Sequence, residues 1–157
     1  MGSALIRRVK RGAQVQSYDI LNNQSLAIGE YVALNASGRA TEMADTANFV
    51  PLGFAVGFSD KDTANGFDVG NTGAAIIPEV EVDIGGGIVE RLAVTGVAGL
   101  GDIGRQVYAT SATAFTLTET VNIPPVGVVV RHQTGTSCDV YFYPHASMMS
   151  SKGAVSH

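Results

Sequence analysis

The sequence predicts an all-β chain: a single compact, mainly antiparallel β-barrel or small β-sandwich, preceded by an extended N-terminal arm. Three observations carry this. The apolar runs are short and fenced by Gly, Pro, Asn and Asp, so each suits one strand and none suits a solitary helix. Glu79, Glu81 and Asp83 alternate with Val80, Val82 and Ile84, the period of a strand with one wet face. Finally, a motif series occurs twice. Ile28-Gly29, Val32, Thr41 and Pro51-Leu52-Gly53 return as Ile103-Gly104, Val107, Thr116 and Pro125-Val126-Gly127. The offset is 75 residues at the Ile-Gly and Thr positions and 74 at the Pro-x-Gly positions. A duplicated β unit, about residues 28–58 and 103–132, accounts for it.

Each motif has a physical reading. Gly29 and Gly104 open turns that need a positive φ or a close backbone approach, and strands follow at residues 31–34 and 107–109. Pro51 and Pro125 lack a ladder donor and stand at the start of the apolar strands 52–58 and 126–130. Elsewhere the reading is a strand over 26–35, one helical turn or polar loop over 41–48, and an exposed Asp/Asn/Gly loop over 59–73. A hairpin is expected from residues 74–84 and 88–94 across Gly85-Gly86-Gly87. A last hairpin pairs 126–132 with 138–143. Residues 1–20 form the arm, 21–145 the β domain and 146–157 a mobile tail.

With 157 residues, 45% hydrophobic and 15% charged, the chain suits one domain that buries about 70% of its extended surface without a staple. A single cysteine excludes an internal disulfide framework, and no zinc-ligand spacing occurs. No secretory signal and no apolar run of about 20 residues is seen, which predicts a soluble protein made in a cytoplasm, with no membrane partner. Charge is unevenly placed. The net charge is −4, but Arg7, Arg8, Lys10 and Arg11 are four of the ten basic residues and precede every acidic one, so a basic arm leads an acidic body. Leu5, Ile6 and Val9 interleave with those cations, so that the arm can anchor on another subunit, as a short helix turn or as an added strand.

Asp60, Asp62, Asn65, Gly66 and Asp68 cluster oxygen ligands, but Gly66, Ala64 and Asn71 stand where a calcium loop needs other residues. Residues 96–104 are glycine-rich like a phosphate cradle, yet a strand follows and Asp102 repels an anion. Cys138 with His132 and His145 lacks an orienting third group and reads as a buried thiol. Glu79, Glu81, Asp83 and Glu90 read as a solvated acidic face, without the apolar pocket that glycosidase acids require. The expectation is therefore no catalytic residue, no metal and no cofactor.

Gly101-Asp102, Val107-Tyr108-Ala109, Phe115-Thr116-Leu117, Pro125-Val126-Gly127-Val128 and Val140-Tyr141-Phe142 resemble the head decoration, or capsid cement, proteins of tailed bacteriophages. In that group a Gly-Asp turn and strand is followed by a Thr strand, a Val-Gly-Val strand and a final strand. The resemblance covers about residues 90–144, and more faintly 26–60. It implies a short β domain, β-tulip-like barrels included, that is not an enzyme. Such a protein binds the outer surface of the assembled virion capsid, stabilises it by bridging major capsid protein subunits, and often forms a homotrimer. The capsid-binding segment is then Leu5, Ile6, Arg7, Arg8, Val9, Lys10 and Arg11. Other readings stay open: a tail-tube or head-completion component, a nucleic-acid-binding module using the basic arm, and a small hydrolase or ligand-binding barrel.

Overall fold

The computed structural model describes residues 6–7, 14–58, 68–70 and 78–144. The fold is all-β. Its strands are β1 (Ile6–Arg7), β2 (Val15–Asp19), β3 (Ser25–Ala27), β4 (Tyr31–Leu34), β5 (Ala40–Glu42), β6 (Val50–Phe58), β7 (Asp68–Gly70), β8 (Glu79–Asp83) and β9 (Gly87–Ala93). A 3-10 turn at Leu100–Asp102 leads into β10 (Gln106–Ala109), β11 (Phe115–Thr116), β12 (Gly127–Thr134) and β13 (Ser137–Phe142). One sheet has the order β2-β8-β6-β4-β5 and the other β1-β9-β13-β12-β10-β11, while β3 and β7 pair separately.

Leaving β1 aside, the two sheets are the same five-strand unit built twice. In the first, β4 pairs with β5 and β6, β6 with β8, and β8 with β2. In the second, β10 pairs with β11 and β12, β12 with β13, and β13 with β9. Register matches residue by residue. Ala33 opposes Thr41 as Tyr108 opposes Thr116, and Val32 opposes Gly53 as Val107 opposes Gly127. Both third strands carry a bulge at the same place, between Ala55 and Gly57 and between Val129 and Arg131. Both sheets curl until one parallel bridge joins the chain beyond the first strand to the β5 or β11 edge, Ile20 to Ala40 and Thr95 to Thr116.

The repeated glycines account for this shared geometry. Gly29 and Gly104 both sit at φ +95, a conformation that side chains resist. Their N–H groups donate to the carbonyls of Ala55 and Val129, each at 2.8 Å. In the Pro-x-Gly motifs the glycine lies under a neighbouring strand. A Cβ on Gly53 would collide with the Asp83 carbonyl, and one on Gly127 would stand 2.5 Å from the Tyr141 carbonyl oxygen.

Inside the first sheet pack Ile20, Val32, Leu34, Leu52, Ala55, Val80 and Val82. Their counterparts Val94, Val107, Ala109, Val126, Val129, Cys138 and Val140 fill the second. The units then meet along a seam. Tyr31, Ala33 and Met43, on the outer side of the first sheet, join the second core.

Three expectations need correction. The hairpin across Gly85-Gly86-Gly87 does not form, because β8 and β9 belong to different sheets. Gly86, at φ +78, lets the chain pass against the end of β13, where a Cβ would lie 2.5 Å from the Phe142 carbonyl oxygen. The body also begins before residue 21. Gln16 and Tyr18 oppose Val82 and Val80, and Ile20 is fully buried. An edge strand with only its far end in the core shows little hydrophobic period, which hid β2 inside the presumed arm. The strand expected over 26–35 is two strands, broken by the Gly29 turn.

Candidate functional site

Of the arm residues singled out by the sequence, Ile6 and Arg7 form β1, antiparallel to β9 with Ile6 opposite Val89 and Arg7 opposite Ile88. The arm thus adds a strand to a sheet edge of its own chain. Leu5, Arg8, Val9, Lys10 and Arg11 lie outside the described residues, as do Asp60, Asp62, Asn65 and Gly66 of the acidic loop, His145 and the tail.

The glycine-rich turn before β10 is occupied by its own acid. The Asp102 carboxylate accepts the N–H of Ala98 at 2.7 Å and of Gly99 at 3.1 Å, and a bond from Arg105 Nη1 at 3.3 Å. Those amides, led by Ala98, hold the Asp102 carboxyl below its ordinary pKa. Two of the amides a phosphate would use, those of Ala98 and Gly99, are already taken.

Cys138 is fully buried beneath β12, and desolvation, with the nearby Asp139 charge, pushes its pKa up to about 11. The thiol stays protonated at neutral pH and is a poor nucleophile. His132, its register partner, places Nε2 3.1 Å from the Gly135 carbonyl oxygen in the turn.

The acidic face on β8 is less wet than its alternation suggests. Glu79 and Glu81 are half-buried, and Asp83 is buried with its carboxylate accepting the Gly85 N–H at 3.0 Å. Only Glu90, on the other sheet, is exposed. The four do not share one face. Among the described residues no group of three or more His, Cys, Asp or Glu side chains is arranged to hold a metal ion.

What sequence reasoning missed is the seam. Tyr31 and Phe54 of the first unit meet Phe115 and Phe142 of the second, with ring centroids 4.9 to 6.2 Å apart in every pairing, mostly edge to face. Each such pair adds about 0.5–1.5 kcal/mol beyond the area buried. Burial raises the Tyr31 phenol strongly, so it remains neutral. The Tyr31 N–H donates to the Ala112 carbonyl at 2.9 Å, which seats the β10–β11 turn against β4. At the rim, the Asp45 carboxylate accepts the N–H of Val121 at 3.1 Å and of Asn122 at 2.8 Å. A cavity of about 20 Å³ remains between Gly53, Phe54 and Asp83 on one side and Ile88, Val89 and Phe142 on the other, room for one water at most.

An open groove of about 400 Å³ runs along Thr95, Thr110, Thr116, Thr118 and Thr120. The Thr110, Thr116 and Thr120 hydroxyls already donate to the carbonyls of Ala114, Thr95 and Ile123. Among the described residues, no helix is long and apolar enough to cross a membrane. Comparison with protein-family models, with curated proteins and with solved structures finds no match.

Proposed function

We propose that the protein is a structural virion component that binds the outer surface of an assembled phage capsid and stabilises it by bridging major capsid protein subunits. One observation supports this most. The residues that carry the resemblance lie on successive elements in the order it implies: Gly101-Asp102 at the 3-10 turn, Val107–Ala109 within β10, Phe115–Thr116 as β11, Gly127-Val128 opening β12, and Val140–Phe142 closing β13. In this reading Leu5, Ile6, Arg7, Arg8, Val9, Lys10 and Arg11 reach the capsid, and several weak arms acting together hold neighbouring subunits through effective concentration. The role is mechanical and assigns no catalysis, cofactor or metal.

Co-sedimentation with decoration-free heads of the source virus tests it, comparing the full chain with one beginning at Gly12. Saturable binding that weakens without the arm is expected; no binding to any head form would overturn the proposal. A ring-forming tail-tube or head-completion component is the second reading. It is favoured by the unlike faces through which the two units meet, since such contacts build rings.

A further inference from the structure

The seam joins two equivalent units through non-equivalent faces. The first unit contributes Tyr31, Ala33, Met43 and Phe54; the second contributes Ile88, Ala112, Phe115 and Phe142. A two-fold arrangement would also bury the counterparts of each set. It does not: Gln106, which stands where Tyr31 does, is exposed, and so are Ala36 and Ser37, which stand where Ser111 and Ala112 do. The contact is therefore head-to-tail, and each unit keeps one such face unused.

We propose that these two open faces bind each other between molecules, so that the second unit of one copy receives the first unit of the next copy as the seam does within the chain. The receiving face is exposed Gln106 on β10 with half-buried Val128 on β12 and Tyr141 on β13, register counterparts of Tyr31, Phe54 and Asp83; Tyr108, the counterpart of Ala33, is already buried beside them. The Tyr108 hydroxyl bonds Gln106 Oε1 at 3.3 Å, and the Tyr141 ring meets Tyr143 edge-on at 6.0 Å. Tyr141, half-buried with a polar tip, suits a surface that is wet alone and dry in a complex. The inserting face is the exposed Ala36-Ser37 turn together with Val15 and half-buried Ile84, counterparts of the Ser111-Ala112 turn, Ile88 and Phe142. This gives a place to Val15, 48% exposed although Ile88 lines the seam. The partner is a second copy because the chain already holds this pairing once. The face is more polar than the seam, as befits an assembly of separately folded chains. Successive contacts of this kind close into a ring when the rotation per step divides a full turn. The proposal does not depend on the capsid reading.

The test uses two full-length single variants, Gln106→Cys and Ser37→Cys, mixed under oxidised glutathione. Their seam counterparts approach to 2.9 Å between Tyr31 N and Ala112 O, within disulfide reach. A mixed disulfide dimer is expected from the mixture, and none from either variant alone. Adding Tyr141→Arg should cut its yield by roughly tenfold, while Thr134→Arg, exposed at the far turn, should leave it unchanged. No mixed dimer, or homodimers formed as readily by one variant alone, would overturn the proposal. So would cross-linking indifferent to Tyr141→Arg.

Discussion

The two units share register, bulge and turn glycines, yet treat the same face in opposite ways. Where the first places a fully buried Tyr31 and a half-buried Phe54 in an aromatic cluster, the second places an exposed Gln106 and a half-buried Val128. Elsewhere the substitutions are conservative: Ile20 for Val94, Leu52 for Val126, Val80 for Cys138 inside the sheets. The difference teaches that the inner face of each sheet maintains the fold, while the outer face decides what that fold meets. Their last connections differ too. Twenty residues, 59–78, separate β6 from β8, whereas β12 turns into β13 through two.

The sharpest way to break the comparison is to remove a ring from the seam. Phe142→Ala should cost about 3–5 kcal/mol, whereas Ile84→Ala, at the matching half-buried place, should cost about 1 kcal/mol. Urea denaturation of the two variants checks this, and equal losses would mean that the seam contributes little. Next come the shared glycines. Gly127→Ala should lose about 1–3 kcal/mol from crowding against the Tyr141 carbonyl. Gly53→Ala should lose more, because its φ of +154 adds backbone strain; thermal melts of both would rank them.

Asp45→Ala removes two charge-assisted bonds that have no counterpart at Thr120, and should cost about 1 kcal/mol at this exposed rim. Loss of the Val121 and Asn122 amide protection in hydrogen exchange would locate the effect. The smallest expected change concerns Asp102. Its pKa is lowered in the folded state, so its contribution is present above the ordinary carboxylate pKa of about 4 and disappears as pH falls through the lower folded value. The melting difference between wild type and Asp102→Asn should therefore exist at neutral pH and vanish in acid. A difference that persisted in acid would assign the effect to packing.

Local chemistry was legible in the sequence. The positive φ of Gly29 and Gly104, the apolar run that became β6, and the last hairpin all rest on residues acting within a few positions of themselves. What escaped was non-local. The Gly85-Gly86-Gly87 run is chemically a hairpin turn, and only the Phe142 carbonyl beside Gly86, more than fifty positions away, makes it a crossing. β2 was invisible because Val15 and Gln16 are exposed and only the far end, Tyr18 and the following Ile20, reaches the core. The carboxylates of β8 looked solvated because alternation identifies two faces but not that Asp83, at the strand's end, lies beside Ile88 and Phe142 of the second unit. Tyr31 and Phe54 stand in strands that the sequence predicts, yet nothing in their own neighbourhood says that they face Phe115 and Phe142.

The order of the units along the chain has a consequence for biosynthesis. The first sheet can close once Asp83 has been made, but its Tyr31 and Phe54 face has no cover until Phe142 follows. At typical elongation rates that interval lasts about 3–12 s. Throughout it a nascent chain displays an aromatic surface suited to any similar surface nearby, including the same half-finished unit on a neighbouring ribosome. Translation stalls after β8 are thus the point at which this protein is most exposed to misassembly, and where a chaperone would be of most use to it.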